Sequence, residues 1–196
     1  MKKSNRRTAN TFGMMIVFAI AIVAIYFKLS TSTSPIIKDS ISNKTELETL
    51  LEKDIENNYP SSAREVIKLY TRIMKCFYNE NLEDEQVNQL AAQICLLYDD
   101  ELLVNNPYED YLLDLKVEIT EYRNAKRNIM NEVIEDSTKV KSWTKEGMEY
   151  ASLTAGYTIK EKDNYTKLYE DFILRKDEKG FWKILGWKLS DKTAIE

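Results

Sequence analysis

The spacing of apolar residues changes near Ile129, and this change constrains the fold more than any other feature of the chain. Before it, apolar residues recur three and four positions apart, as at Val87, Leu90 and Ile94. After it, residues 149–160 alternate apolar with small or polar side chains. Since a helix buries every third or fourth residue and a strand every second one, the pattern predicts helices first and strands last. That order is typical of an α+β fold.

Four helical segments precede the change. They cover residues 44–55, 62–79, 87–98 and 107–122. The second opens with a capping box, in which Ser62 caps the backbone N–H of Glu65. The fourth has Asn106 as its N-cap and Pro107 at its first helical position. We therefore expect three to four helices packed on one side of a sheet.

The strand segments follow directly. Beyond a first strand near Ile129, they cover residues 149–160, 165–176 and 181–189. The break between the last two ends in Gly180, which suits the left-handed conformation of a hairpin turn. The pattern predicts an antiparallel meander of about four strands.

An unbroken apolar run, FGMMIVFAIAIVAIYF, occupies residues 12–27. A helix needs about 20 apolar residues to cross a bilayer core, and about 17 is the lower limit. Four cations precede the run, and one lysine follows it. By the positive-inside rule, this arrangement predicts a cytoplasmic N-terminus and a single transmembrane helix.

This topology divides the chain into four parts. They are a basic cytoplasmic tail over residues 1–11, a transmembrane signal anchor over 12–29, a flexible stalk over 30–43 and an extracytoplasmic domain over 44–196. A cleaved signal peptide is the alternative, although the A-x-A motif at residues 19–21 lies inside the run rather than after it. Both interpretations place the domain outside the cytoplasm of a cell that we expect to be bacterial.

Charge and composition exclude several kinds of function. Residues 1–28 hold five cations and no acid, so the other 23 cations and all 32 acids leave residues 29–196 with a net charge of −9. Such a domain is a poor partner for nucleic acid, which is bound mainly through phosphate contacts from lysine and arginine. The chain has no histidine, which excludes Ser-His-Asp and Cys-His catalysis and histidine-ligated zinc. We therefore expect that the protein binds no cofactor and is not an enzyme.

Cys76 and Cys95 are the two cysteines of the chain. If the second and third helices form a hairpin, Cys95 lies about eight residues beyond the position opposite Cys76, or roughly 12 Å along the helix. A disulfide requires Cα atoms within about 7 Å of each other. We therefore expect two buried free thiols.

The closing hairpin, RKDEKGFWKI over residues 175–184, places a glycine just before a Trp-x-Ile strand. Together with the preceding helices, it resembles the nuclear-transport-factor-2-like (cystatin-like cone) superfamily over about residues 60–190. The resemblance implies helices packed on a curved sheet, with a pocket between them. Family enzymes with this cone use Asp or His dyads. This chain has no histidine and no matching aspartate, so the resemblance implies no catalytic residue.

The chain also resembles membrane-anchored envelope proteins of clostridia-type bacteria. The resemblance lies in AREVIKLY over residues 63–70 and in WKILGW over residues 182–187. It implies a location and no activity.

The candidate pocket or interaction surface consists of large side chains expected on the sheet and on the helix facing it. They are Tyr70, Tyr157, Phe172, Trp182, Ile184 and Trp187. Strict alternation along the last strand would put Trp182 and Ile184 on one face and Leu185, Trp187 and Leu189 on the other. Two apolar faces suit a sheet covered by helices on one side and by a partner or second copy on the other. The alternative is the core and rim of a monomer.

Three polar patterns each allow two interpretations. Acids at residues 99–101 and 109–110 suit either a calcium ion or the dipole of a helix start. Glu118 and Glu121 form either an acid pair or a solvated helix face. The serine and threonine face of residues 152–158 lines either a polar pocket or a solvent-facing sheet surface.

These observations favour a single-pass, membrane-anchored, extracytoplasmic binding or interaction module. Residues 12–29 would contact the membrane, and the sheet face would contact an envelope protein or a second copy. The alternative is a scaffold subunit of a conjugation or type IV secretion-like channel, which shares this layout. A small pocket enzyme would require ionisable groups buried in the pocket.

Overall fold

The computed structural model describes residues 44–195. The tail, anchor and stalk predicted over residues 1–43 lie outside the described residues. Within the described range, none of the helices combines the length and the apolar character needed to span a bilayer.

Five helices and five antiparallel strands form the described part of the chain, which confirms the α+β class. The helices are α1 (Glu46–Leu51), α2 (Ala63–Asn79), α3 (Asp84–Cys95), α4 (Asp100–Asn105) and α5 (Tyr108–Ala125). The strands are β1 (Arg127–Ile134), β2 (Lys141–Lys145), β3 (Met148–Glu161), β4 (Asn164–Lys176) and β5 (Trp182–Leu189). These five α-helices precede all five strands, as the change of period predicts, and a 3-10 turn (Ser137–Lys139) lies between β1 and β2.

Helix α3 ends at Cys95, three residues before its predicted end, because the residues that follow pair with β5. The N–H of Ile184 donates to the carbonyl of Leu97 (2.8 Å), and the N–H of Asp99 donates to the carbonyl of Ile184 (2.9 Å). A parallel bridge therefore holds Tyr98 beside the last strand. These long-range hydrogen bonds override the helical pattern of the segment.

Helix α4 was not predicted, and it moves the start of α5. The Asp99 carboxylate accepts from the N–H of Glu101 at 3.0 Å and opens α4. Asn106 closes α4, so Pro107 is the N-cap of α5 and Tyr108 its first residue. The predicted N-cap role of Asn106 is therefore wrong.

The Ser62 cap of α2 and the glycine of the last hairpin are confirmed, but only the serine half of the predicted capping box forms, since the Glu65 carboxylate lies beside Arg64 and Lys68. The Ser62 hydroxyl accepts from the N–H of Glu65 at 3.2 Å and opens α2. Gly180 closes the turn between β4 and β5 with a φ of +83°. A glycine carries this left-handed conformation without steric cost.

The sheet has the order β1–β3–β4–β5, and β2 also pairs with β3. β3 is long enough to pair with β2 along its first half and with β1 along its second half. β2 is the one strand of the five that was not predicted. Every one of its residues is exposed, so it has no alternation of apolar residues by which to recognise it.

A bulge at Leu185 overturns the predicted faces of β5. In the ladder between β4 and β5, Phe172 pairs with Trp187 and Leu174 pairs with Ile184, so three positions on β5 match two on β4. Because one extra residue inverts the alternation, Trp187 shares the helix-facing side with Ile184. The prediction that Trp187 lies on the opposite face is wrong.

The core lies between α2 and the helix-facing side of the sheet. Ile67, Ile73 and Phe77 of α2 are almost fully buried, as are Phe172 and Ile184 opposite them. Burying each such side chain stabilises the fold by about 1.5–3 kcal/mol. This layer fixes the helices over the sheet and forms the floor of the site described next.

Both cysteines are free, as predicted. Cys76 is buried within α2, whereas Cys95 at the end of α3 is only half-buried. The prediction of burial therefore holds for the first thiol and is wrong for the second.

Candidate functional site

A cavity with two adjoining chambers lies between the helices and the sheet. The large chamber has a volume of about 430 Å³ and the small chamber about 160 Å³. Four side chains line both chambers and mark their junction: Tyr70, Met74, Glu118 and Trp187. The cavity thus forms where α2, α5 and β5 meet.

Helical spacing explains why two helices contribute so many lining residues. Tyr70, Met74 and Tyr78 lie four residues apart along one side of α2. Glu118 and Tyr122 lie four residues apart on α5. Residues at i and i+4 of a helix share a face, so each helix presents a continuous stripe to the cavity.

Aromatic residues line both chambers, four in the large one and five in the small one, with Tyr70 and Trp187 common to both. In the large chamber, the ring of Trp187 lies 5.8 Å from that of Tyr70 and 5.9 Å from that of Tyr98. Tyr98 also lies 5.9 Å from Tyr111 in an edge-to-face arrangement. Contacts at these distances are favourable and hold the rings in place, so the cavity has a preformed wall.

The small chamber is closed at one end by a stacked pair. The rings of Tyr78 and Tyr122 lie 4.0 Å apart at an interplanar angle of 21°. Tyr157 of β3 and Glu170 of β4 also line this chamber. Because α2, α5 and the sheet each contribute a ring, the small chamber depends on the complete tertiary fold.

The cavity is acidic. Carboxylates of Asp110, Asp114 and Glu118 line the large chamber, and Glu118 and Glu170 line the small one. Neither chamber has a lysine or arginine among its lining residues in the range 44–195. The ion pairs formed by residues 44–195 include none of these four carboxylates.

Glu170 is the most perturbed of these carboxyl groups. Burial raises its pKa to about 7, the nearby Glu118 carboxylate adds to the increase, and interaction with the Tyr157 hydroxyl opposes it. Burial also raises the pKa of Tyr157 well above its ordinary value. Near neutral pH, the small chamber therefore holds a protonated phenol beside a carboxyl group that changes its charge.

The large chamber contains a buried hydroxyl with an unused hydrogen-bonding capacity. The hydroxyl of Tyr111 lies near that of Tyr98, but it has no partner in hydrogen-bond geometry within residues 44–195. A buried polar atom without a partner costs free energy in the folded state. A ligand atom in this chamber would relieve that cost.

Three of the six predicted site residues line the cavity, and the other three do not. Tyr70, Tyr157 and Trp187 line the cavity. Phe172 is fully buried behind the wall, with its ring 5.4 Å from that of Tyr70 and 6.0 Å from that of Trp187.

Trp182 and Ile184 do not reach the cavity. Ile184 is fully buried in the core. Trp182 lies at the start of β5, where its carbonyl accepts from the Tyr59 hydroxyl at 2.8 Å. The structure therefore brings together the aromatic residues of α2, β3 and the end of β5, and it leaves out the start of β5.

Sequence reasoning missed several cavity residues for which the sequence holds a signal. Glu170 lies two residues before Phe172 on the same strand and so shares its buried face. Glu118 was paired with Glu121, but Glu121 does not line either chamber and Glu118 instead faces Glu170 across the small one. For Tyr98, the position beside β5 follows from a long-range bridge that no local pattern encodes.

The opposite face of the sheet carries a second depression, the outer groove, of about 470 Å³. Ser152 and Thr154 line it, as the polar-pocket interpretation predicts, whereas Thr158 lies outside it. The Thr154 hydroxyl donates to Asp171 at 2.7 Å, and Lys192 donates to Thr154 at 2.6 Å. The polar side chains of this groove therefore bind one another.

The acidic pattern of residues 99–101 and 109–110 does not form one cluster. Asp99 opens α4 and forms a paired hydrogen bond with the guanidinium of Arg175, and Glu101 lies 3.2 Å from the same group. In the described range 44–195, no group of three or more acidic or thiol ligands is positioned for a metal ion. The Asp99 carboxylate therefore has a structural role, in capping α4 and in binding Arg175.

The fold and the cavity define an α+β protein with a preformed aromatic and acidic pocket between its helices and its sheet. A family model described as a domain of unknown function (DUF6715) matches residues 1–187, and the chain belongs to this family. A search of curated proteins finds no match to the chain.

Proposed function

We propose that residues 44–195 are a small-molecule binding module, which residues 12–29 hold at the outer face of a bacterial membrane. The observation that carries the proposal is the two-chambered cavity. Ligand sites in proteins are typically preformed, concave and about 300–1,000 Å³ in volume, with mainly aromatic or apolar walls and a few polar groups. The large chamber alone falls within this range at about 430 Å³.

The helix-side cavity is a better candidate than the outer face of the sheet. The expectation of a partner on that outer face depended on Leu185, Trp187 and Leu189. Leu185 and Trp187 do line the outer groove, but the ring of Trp187 packs against that of Tyr70. The outer groove is also partly occupied by the chain itself, since Lys192 reaches across it to Glu135 at 2.8 Å. A ligand there would have to displace these bonds, whereas the cavity offers a buried hydroxyl without a hydrogen-bond partner and carboxylates without an ion pair within residues 44–195.

The membrane location rests on the sequence and on the extent of the family match. The apolar run lies between basic residues, and the match begins at residue 1 and so includes the run. Helices that cover one face of an antiparallel sheet, with a cavity between, also agree with the cone-like fold that the superfamily resemblance implies. The scaffold role in a conjugation channel stays a prediction.

A pocket enzyme is the second candidate, because one observation favours it. Glu170 has a pKa near 7 and lies beside the Tyr157 hydroxyl in a partly buried chamber. A general acid or base works best when its pKa lies near the operating pH. If this candidate is right, compounds that bind the cavity are converted by the native chain and recovered unchanged from Glu170→Gln.

The binding proposal is tested with the full chain in detergent or nanodiscs, by measuring thermal stabilisation against a chemically diverse library. Met74 lines both chambers, so Met74→Trp fills the cavity. The matched control, Ser152→Trp, fills the outer groove instead. We expect stabilising compounds to lose their effect in Met74→Trp and keep it in Ser152→Trp. The reverse pattern, or a library without any stabilising compound, would contradict the proposal.

A further inference from the structure

We propose that the cavity accepts an organic cation, of the amine or quaternary ammonium class, with its positive centre at the junction of the two chambers. The inference rests on the proposed binding function and adds the chemical class of the ligand. It follows from the charges, the rings and the shape of the junction.

The charge of the cavity selects for a cation. Four carboxylates line the chambers, no lysine or arginine of residues 44–195 does so, and none of the four is neutralised by an ion pair within that range. Asp110, Asp114 and Glu118 are exposed, whereas Glu170 is half-buried. Glu118 and Glu170 are close enough to repel each other, so both gain from a positive charge bound between them. An anionic ligand would add to the repulsion.

The aromatic walls select for an organic cation over a bare metal ion. Metal ions such as calcium require several oxygen ligands around one point, and no such group is present among residues 44–195. The face of an aromatic ring attracts an ammonium group within about 6 Å of its centre. Tyr70 and Trp187, whose ring centres lie 5.8 Å apart, both line the junction of the two chambers, so a cation there lies close to two aromatic rings.

The shape of the junction places the positive centre. Glu118, Tyr70 and Trp187 line both chambers, so one carboxylate and two rings surround the passage between them. A cation at this point contacts all three. Its substituents would extend into the large chamber, where the buried Tyr111 hydroxyl is available to them.

The probes are choline, its neutral isostere 3,3-dimethyl-1-butanol and the anion 3,3-dimethylbutanoate. All three carry a bulky group of the same shape, which is trimethylammonium in choline and tert-butyl in the other two, and they differ in net charge. Their affinities for the full chain in nanodiscs are measured by isothermal titration calorimetry. We expect choline to bind at least about tenfold more tightly than the alcohol, and the anion to bind least.

Two matched variants separate the role of charge from that of structure. Glu118 and Glu121 are both exposed residues on α5, but only Glu118 lines the cavity. We expect Glu118→Gln to weaken choline binding about five- to tenfold without affecting the alcohol, and Glu121→Gln to leave both unchanged. Equal effects of the two variants on choline would overturn the inference.

The pH dependence of choline binding gives a further readout, because choline keeps its charge at every pH. The titratable groups that share the small chamber with Glu170 are Tyr70 and Tyr78 on α2, Glu118 and Tyr122 on α5, and Tyr157 on β3. The tyrosines stay neutral near pH 7, so ionisation of Glu170 should strengthen choline binding as the pH rises from 6 to 8. Glu170→Gln should remove this increase.

The failure of this inference is distinguishable from the failure of the proposed function. If neutral or anionic library members bind in a way that Met74→Trp abolishes, while choline and primary amines do not bind, the cavity is a binding site for another ligand class. If no compound binds the cavity, both proposals are wrong. Equal affinity for choline and its neutral isostere would also overturn the cation assignment.

Discussion

The indole ring of Trp187 lies 5.8 Å from the phenol ring of Tyr70, although strict alternation along β5 would place it on the other face of the sheet. The bulge at Leu185 causes this contact. Because of the bulge, the ring of Trp187 lines the cavity instead of lying on the outer face of the sheet, where it was expected. The contact between the two rings also joins β5, the last strand, to α2.

Replacing Trp187 should therefore affect both the fold and the cavity. We expect Trp187→Ala to lower the free energy of unfolding by about 2 kcal/mol, because it removes a partly buried ring that contacts three others. Leu189→Ala is the control, since Leu189 is 67% exposed on the same strand, and it should change stability by less than about 0.5 kcal/mol. Urea unfolding of the full chain in detergent measures both, and equal losses would contradict the packing described here.

Glu170 should make stability depend on pH. Its pKa is raised to about 7 in the folded state, from an ordinary value of 4.5. A raised carboxyl pKa favours the folded state while the group is protonated, so this contribution is complete below pH 4.5 and is lost as the pH rises through 7. The loss is on the order of 2 kcal/mol after allowance for the partial exposure of the group.

The difference in stability between the native chain and Glu170→Gln isolates this effect. We expect the advantage of the native chain to fall from pH 5 to pH 8, as followed by urea unfolding at each pH. Glu178→Gln, in the exposed β4–β5 turn, should show no such trend. A pH-independent difference for Glu170→Gln would show that the carboxyl group is not perturbed.

The buried pair of Asp99 and Arg175 should contribute strongly to stability. Asp99→Asn retains the capping ability of the side chain at α4 but removes its charge, which leaves the guanidinium of Arg175 partly buried without its main partner. We expect a loss of about 3 kcal/mol. The control is Glu149→Gln in the exposed pair with Lys176, which should cost at most about 1 kcal/mol. Similar losses in thermal or urea unfolding would refute this distinction.

Neither thiol should react readily in the folded protein. Burial raises the pKa of Cys76 and of Cys95 to about 11, so the reactive thiolate is scarce at pH 8. We expect slow alkylation by iodoacetamide at pH 8 and rapid alkylation of both thiols in denaturant, measured by mass spectrometry without prior reduction. Detection of a disulfide, or rapid labelling of the folded chain, would contradict the structure.

Local patterns were sufficient for the type and order of most elements. The capping serine of α2 and the hairpin glycine each act through neighbours in the sequence, and the structure confirms them. The alternation of residues 149–160 also correctly predicted the strand β3, although residues 153–157 are all buried. The helix boundaries that were predicted wrongly depend on residues far away in the sequence. α3 ends early because Leu97 and Asp99 bond to Ile184, which is more than eighty positions away.

The candidate site likewise has residues that local patterns identify and residues that only long-range contacts place. Tyr70 and Tyr157 could be selected from the sequence, since each is a large residue on a predicted inward face. The site as a whole could not, because the walls of its small chamber come from α2, α5 and four strands, and because the bulge at Leu185 inverts the pattern on one of them.

The sequence by itself determined the α+β order, the acidic and histidine-free composition and the apolar run at residues 12–27, because each is a property of composition or of short-range period. The tertiary structure alone decided that Trp187 faces Tyr70, that Glu118 and Glu170 approach each other, and that Tyr98 leaves its helix to join the last strand. Those outcomes depend on contacts between residues far apart in the chain, and only the packed fold specifies them.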